Sequence, residues 1–69
     1  MFTIEMLAVD WSDRENPEVL HRIPSHGRLG DAFVVAKSLL DDAKFDGPNG
    51  YQILDEDGTI VARSWERKI

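Results

Sequence analysis

The sequence predicts one α+β domain over residues 1–69, in which four antiparallel strands form a sheet and one helix packs on one of its faces. Three observations lead to this fold class. Only residues 30–44 show a sustained helical period of apolar side chains. The segments on either side alternate apolar and polar side chains, as strands do. Clusters of turn-forming residues separate these segments, which gives the order strand, strand, helix, strand, strand, or ββαββ.

The first strand is expected over residues 2–9. One of its faces is uniformly apolar and should point into the core, with Phe2, Ile4, Met6 and Ala8. The other face begins with polar residues but ends with Leu7 and Val9. We expect these two side chains to be covered, either by a loop of the same chain or by another subunit.

Residues 10–17 have the composition of a loop, and Trp11 is their only large apolar side chain. Two interpretations of this tryptophan remain open. It folds back as a lid over the end of the sheet, or it is an exposed anchor for a partner protein. Aromatic anchors contribute much of the binding energy at protein interfaces.

The second strand is expected over residues 18–24 and should pair antiparallel with the first, because only a short loop separates them. Strict alternation places Val19, His21 and Ile23 on one face and Leu20 and Arg22 on the other. Pro24 suits a strand end or an edge strand, because proline has no backbone N–H to donate to a neighbouring strand.

In the helix over residues 30–44, one side of the surface is apolar and should lie on the sheet. Its members are Ala32, Val35, Ala36, Leu39, Leu40 and Ala43, with Phe33 at the edge. Val34 lies among the polar positions, either as an ordinary exposed valine or as a contact for a partner. Gly30 or Asp31 would cap the start, and Gly47 would end the helix in a left-handed conformation.

Two further strands are expected over residues 51–54 and 59–65, joined by a hairpin turn in which Gly58 takes the left-handed position. With Asp55 opposite Thr59, the predicted pairs are Leu54 with Ile60, Ile53 with Val61 and Tyr51 with Arg63. One face then holds Tyr51, Ile53, Val61 and Trp65, and the other holds Gln52, Leu54, Ile60 and Ala62. The pattern leaves open which face packs on the helix. Both faces are partly apolar, which favours cover of the face away from the helix by a second subunit.

Composition restricts the classes of partner. Thirteen acidic residues against eight basic ones give a net charge of −5. Because nucleic-acid binding draws on clustered lysine and arginine, this balance disfavours a nucleic-acid partner and is compatible with a basic protein partner. The chain has no cysteine, no signal-peptide pattern and no apolar stretch of membrane-spanning length. We expect a cytoplasmic protein without membrane association, and a chain this short has reason to form homo-oligomers.

No residue pattern predicts a catalytic residue, a cofactor or a metal site. His21 and His26 are the only histidines, and their spacing matches no recognised metal-ligand geometry. Residues 55–58 look like part of a calcium loop, but the acidic residues that such a loop requires before and after them are missing. Residues 27–30 precede a helix, yet the lysine and hydroxyl residues of a phosphate-binding loop do not follow.

The helix pattern A-x-x-x-A-K-x-L-L over residues 32–40 and the hairpin G-Y-Q-I-L-D-E-D-G-T-I-V over residues 50–61 belong to a longer similarity. This part of the chain, residues 31–64, resembles short uncharacterised bacterial proteins of ββαββ order. The resemblance implies the fold and no activity.

A second similarity runs from Ile23-Pro24 through Gly30-Asp31-Ala32 to the end of the predicted apolar side of the helix. These positions are similar to the strand-end proline, the glycine-acid pair and the helix of HicB-type antitoxins. This likeness implies a partner-binding protein with a related layout of sheet and helix.

The leading hypothesis is a protein-interaction module that acts as a homodimer or as an accessory subunit, and no enzymatic activity is predicted. Its candidate contact residues are Leu7, Val9, Trp11, Leu54 and Ile60. The first alternative is a nucleic-acid-binding or antitoxin-like regulator. It would require the basic side chains to converge on one surface: Arg22, Arg28, Arg63, Arg67 and Lys68. The second alternative is an enzyme with a site at a subunit interface around His21, His26 and Tyr51.

Overall fold

The computed structural model describes residues 1–42 and 47–65, and within them the predicted order of elements is confirmed. The five elements are β1 (Phe2–Ala8), β2 (Glu18–Ser25), α1 (Leu29–Asp41), β3 (Gly50–Leu54) and β4 (Ile60–Arg63). All strand pairs are antiparallel, and they form one sheet in the order β2-β1-β3-β4. Gly58 occupies the left-handed position of the β3–β4 turn, as predicted, with a φ of 82°. The chain therefore has the predicted α+β fold.

The hydrophobic core lies between α1 and the two central strands, β1 and β3. The sheet surface that packs against the helix is the inner face, with Ile4, Met6, Tyr51 and Ile53; the opposite surface is the outer face, with Glu5, Leu7, Gln52 and Leu54. Ala32 and Ala36 are the fully buried residues of the helix, and both belong to this core. Small side chains at these two positions let the helix lie close to the larger side chains of the inner face.

The helix begins at Leu29, one residue before the predicted start. Arg28 is the N-cap, and its backbone N–H donates to the Asp31 carboxylate at 2.9 Å. The prediction of Gly30 or Asp31 as the cap is therefore wrong. Asp31 acts instead from the third helical position, where its charge also meets the positive end of the helix dipole.

The helix ends before the predicted residue. Asp42 has an extended backbone, so the helix stops at Asp41 and Gly47 is not its left-handed cap. Residues 43–44, which were predicted as its last turn, lie outside the described residues. Val34 is 65% exposed, and Val35 is also exposed although its position on the apolar side predicts burial. No helix within residues 1–42 and 47–65 is long and apolar enough to cross a membrane.

A β-bulge between Met6 and Leu7 shifts the register of β1 against β2. Met6 pairs with His21, but Leu7 pairs with Val19, so Leu20 is an additional residue on β2. Val19 therefore shares the outer face with Leu7. The prediction that Val19 and His21 share a face is wrong, because strict alternation breaks at the bulge.

A second bulge shifts the register of β3 against β4. The observed pairs are Leu54 with Ile60, Ile53 with Ala62 and Gln52 with Arg63. Only the first agrees with the prediction, because Val61 is an additional residue on β4. The predicted pairs of Ile53 with Val61 and of Tyr51 with Arg63 are wrong. Ala62, which was predicted on the same face as Leu54, lies with Ile53 on the inner face.

Candidate interaction site

A row of four polar side chains crosses the outer face of the sheet. Strand pairing aligns them in the order Arg22, Glu5, Gln52 and Arg63. The Glu5 carboxylate accepts a hydrogen bond from Arg22 Nε at 2.7 Å and one from Gln52 Nε2 at 2.6 Å. The Glu5 side chain is only 8% exposed, so these two bonds replace most of its contact with water. Hydrogen bonds thus link Arg22, Glu5 and Gln52 within this polar row, and the row divides the outer face into two ends.

One end of the outer face is covered by the chain itself. Leu7 is fully buried, and Val9 is 6% exposed. Val9 and Trp65 lie against Gly50, where an added Cβ would come within 2.9 Å of Val9 Cγ2 and 3.3 Å of Trp65 Cζ3. Trp65 thus lies on the outer face, and not with Tyr51 as predicted. Cover by the same chain accounts for the burial of Leu7 and Val9, so these two candidate contact residues offer almost no surface to a partner.

Residues 10–17 are attached to this covered end by polar contacts. Arg63 Nη1 lies 3.4 Å from Glu15 Oε2, which ties the loop to β4. Asp10 Oδ1 accepts hydrogen bonds from the Ser12 hydroxyl at 2.7 Å and from the Ser12 N–H at 3.0 Å. These two bonds hold the pKa of Asp10 below its usual value, and the bond from the hydroxyl has the larger effect. The tryptophan between these two residues therefore has a backbone fixed by a turn.

Trp11 projects from this turn and is 57% exposed. Its indole meets Trp65 edge to face, with ring centroids 6.2 Å apart and an interplanar angle of 86°. The guanidinium carbon of Arg63 lies 5.6 Å from the ring centroid of Trp65. We call Trp11, Trp65, Arg63 and Glu15 the aromatic corner. The exposure of the Trp11 side chain favours its interpretation as an anchor for a partner over its interpretation as a lid on the sheet.

The other end of the outer face is open. Leu54 is half-buried there, and its cross-strand neighbour Ile60 is 39% exposed. The acidic turn before β4 borders these side chains, and its Glu56 pairs with the Met1 ammonium group at 2.6 Å. Leu54 and Ile60 thus belong to a small apolar surface with an acidic border. The polar row separates this surface from Trp11, so the candidate contact residues do not form one continuous patch.

The residues of the enzyme hypothesis do not come together. His21 and Tyr51 flank Met6 on the inner face, but Tyr51 is almost fully buried against the Phe33 ring of α1. His26 is exposed in the connector after β2, five residues beyond His21, or roughly 16 Å along an extended chain. Within residues 1–42 and 47–65, no group of three or more histidine and acidic side chains could hold a metal ion.

The basic side chains of the described residues do not converge on one surface either. Arg22 and Arg63 lie at opposite ends of the polar row, and each pairs with a carboxylate. Arg28 caps the helix in the other layer of the fold. Residues 67 and 68, which the nucleic-acid hypothesis also requires, lie outside the described residues.

No protein-family model, curated protein or solved structure matches this chain. The likenesses to bacterial ββαββ proteins and to HicB-type antitoxins therefore stay predictions.

Proposed function

We propose that this protein is a small interaction module that docks a partner protein through the aromatic corner, with Trp11 as the anchor. The observation that supports it is the exposure of Trp11 on a loop that is already fixed by hydrogen bonds. A large side chain held in position before binding loses little conformational freedom when a partner arrives. Tryptophan is also enriched among the residues that dominate interface energetics.

The exposed indole is not needed to cover the core. Val9 and Trp65 already lie over Gly50, and Leu7 beside them is fully buried. Trp11 lies outside this layer and contacts it edge to face through Trp65. Its replacement should therefore change the binding surface much more than the stability of the fold.

The test compares the wild-type chain with Trp11→Ala and with Val34→Ala as a matched control, since Val34 is an exposed apolar residue of α1. Each protein is immobilised, and the proteins retained from a cell extract are identified by mass spectrometry. We expect a partner that the wild type and Val34→Ala retain and Trp11→Ala loses. With that partner purified, Trp11→Ala should weaken binding by about thirtyfold or more, as at interface hot spots. Equal retention by all three proteins would refute the proposal.

A second candidate function is self-association through the open end of the outer face. The exposure of Ile60 beside half-buried Leu54 favours it, because a second copy would remove this apolar surface from water. Analytical ultracentrifugation at micromolar concentration tests it. A dimer that Ile60→Ser converts to a monomer would support this candidate, and a wild-type monomer would eliminate it.

A further inference from the structure

We infer that the aromatic corner binds a cationic side chain of its partner, an arginine or lysine within a basic peptide segment. The inference rests on the proposed function and specifies the chemistry of the partner. It follows from the arrangement of the indoles, from a cation that the corner already holds, and from the charge of the loop.

The two indoles form a right-angled pair at the protein surface. Their planes meet at 86°, and more than half of the Trp11 surface is exposed. The face of an indole attracts a cation within about 6 Å of the ring centroid, because the π-system is electron-rich there. Trp11 therefore offers a platform for a guanidinium or ammonium group at the protein surface.

The corner already binds a cation within the chain. The Arg63 guanidinium lies 5.6 Å from the centroid of Trp65, and its Nη1 lies 3.4 Å from a Glu15 carboxylate oxygen. One indole and one carboxylate thus share a single cation. Trp11 also has acidic neighbours in sequence, since it follows Asp10 and Asp13 lies two residues further on.

The charge of the loop selects the sign of the partner. Residues 10–16 carry three acidic side chains and one basic one, all of them exposed: Asp10, Asp13, Glu15 and Arg14. Because Glu15 pairs with Arg63, Asp10 and Asp13 against Arg14 leave the loop with an excess of negative charge. The hydrogen bonds from Ser12 favour the ionised form of Asp10 at neutral pH. With a net charge of −5 for the whole chain, this surface attracts a basic segment. It repels both nucleic-acid phosphates and the same loop of a second copy.

The experiment uses two synthetic probes, a flexible glycine-serine peptide with several arginines and the same peptide with citrulline, the neutral isostere of arginine. Binding is followed by calorimetry and by the NMR signal of the Trp11 indole N–H. We expect the wild type to bind the arginine peptide with a shift of this signal and not to bind the citrulline peptide. Trp11→Ala should bind the arginine peptide about fivefold more weakly.

Two charge variants separate a local site from general attraction to an acidic protein. Asp13→Asn removes a charge two residues from Trp11, and Asp57→Asn removes the same charge in the β3–β4 turn at the other end of the outer face. We expect Asp13→Asn to weaken binding by about threefold and Asp57→Asn to leave it nearly unchanged. Equal weakening by both variants, or no binding of the arginine peptide to the wild type, would overturn the inference.

The preference for a cationic partner and the docking function of Trp11 can fail separately in these experiments. A wild-type chain that retains a partner through Trp11 in extract but does not bind the arginine peptide would contradict only the cationic specificity. Equal retention of all extract proteins by the wild type and Trp11→Ala would contradict the docking function itself.

Discussion

The side chain of Asn49 makes both hydrogen bonds that a neighbouring strand would make to the backbone of Val9. The Val9 N–H donates to Asn49 Oδ1 at 2.6 Å, and Asn49 Nδ2 donates to the Val9 carbonyl oxygen at 2.9 Å. The Asn49 N–H donates to the Leu7 carbonyl oxygen at 2.9 Å, which continues the β1–β3 ladder. This amide fixes the backbone where β1 ends and the loop with Trp11 begins.

Replacement of Asn49 should destabilise the fold. Asn49→Ala removes two hydrogen bonds that hold the backbone of Val9, and we expect the free energy of unfolding to fall by about 1–2 kcal/mol. Urea denaturation followed by tryptophan fluorescence measures the change. Asn16→Ala is the matched control, because that asparagine lies in the exposed loop, and it should cost about 0.5 kcal/mol or less. Equal costs for the two variants would show that the Asn49 amide does not anchor β1.

Two glycine variants should change stability in opposite directions. A Cβ on Gly50 would lie 2.9 Å from Val9 Cγ2 and 3.2 Å from Ser64 Oγ, so Gly50→Ala should cost about 1–3 kcal/mol. At Gly30 no atom lies within 4 Å of an added Cβ, and the residue is helical. Gly30→Ala should therefore stabilise the chain by about 0.5 kcal/mol. Thermal unfolding of both variants checks the prediction, and a stabilising Gly50→Ala would disprove the close packing at the covered end.

Features of the fold could be predicted from the sequence where they produce a regular pattern of apolar and polar side chains. Alternation identified the strands, and the helical period identified α1, because both patterns report which side of an element is buried. The additional residues Leu20 and Val61 were missed, because Leu20 follows the apolar Val19 and Val61 lies between the apolar Ile60 and Ala62, so that a one-residue shift leaves little trace in the polarity pattern.

The aromatic corner could be predicted only in part. The composition of the loop pointed to Trp11 as a lid or an anchor, but its contact with Trp65 depends on the bulge in β4, which alters the face reached by the end of the strand. The roles of Glu15 and Arg63 depend on the same register. A useful signal in the sequence was that Trp11 and Trp65 are the only tryptophans.

Glu5 and Gln52 of the polar row should affect stability jointly, because they share a hydrogen bond. Glu5→Ala leaves the buried Gln52 amide without its hydrogen-bond acceptor and should destabilise the fold by about 1–3 kcal/mol. Replacement of both residues, Glu5→Leu with Gln52→Leu, should cost less than the sum of the single variants Glu5→Leu and Gln52→Leu, because the double variant leaves no buried polar group unpaired at either position. Denaturant unfolding of each variant gives the free energies. Glu18→Ala, at an exposed glutamate of β2, is the control and should be nearly neutral. A double variant that costs as much as the sum of both single leucine variants would contradict this account.

Tyr51 should titrate above the usual range for tyrosine. Burial raises its pKa, because the phenolate charge is unfavourable in the core beside the Phe33 ring. It is the only tyrosine, so the ultraviolet absorbance of tyrosinate reports this group alone. Folding favours the protonated phenol. The resulting stabilisation is therefore complete below the unfolded-state pKa of about 10 and is lost as pH rises through the folded-state pKa.

The alkaline unfolding of the wild type and of Tyr51→Phe tests this linkage. Phenylalanine keeps the ring against Phe33 but cannot ionise, so the variant should retain more of its neutral-pH stability at alkaline pH than the wild type does. Both proteins share every other titrating group, and the difference between their pH profiles isolates the phenol. Parallel profiles, together with a wild-type titration near pH 10, would place the Tyr51 hydroxyl in water and contradict its burial on the inner face.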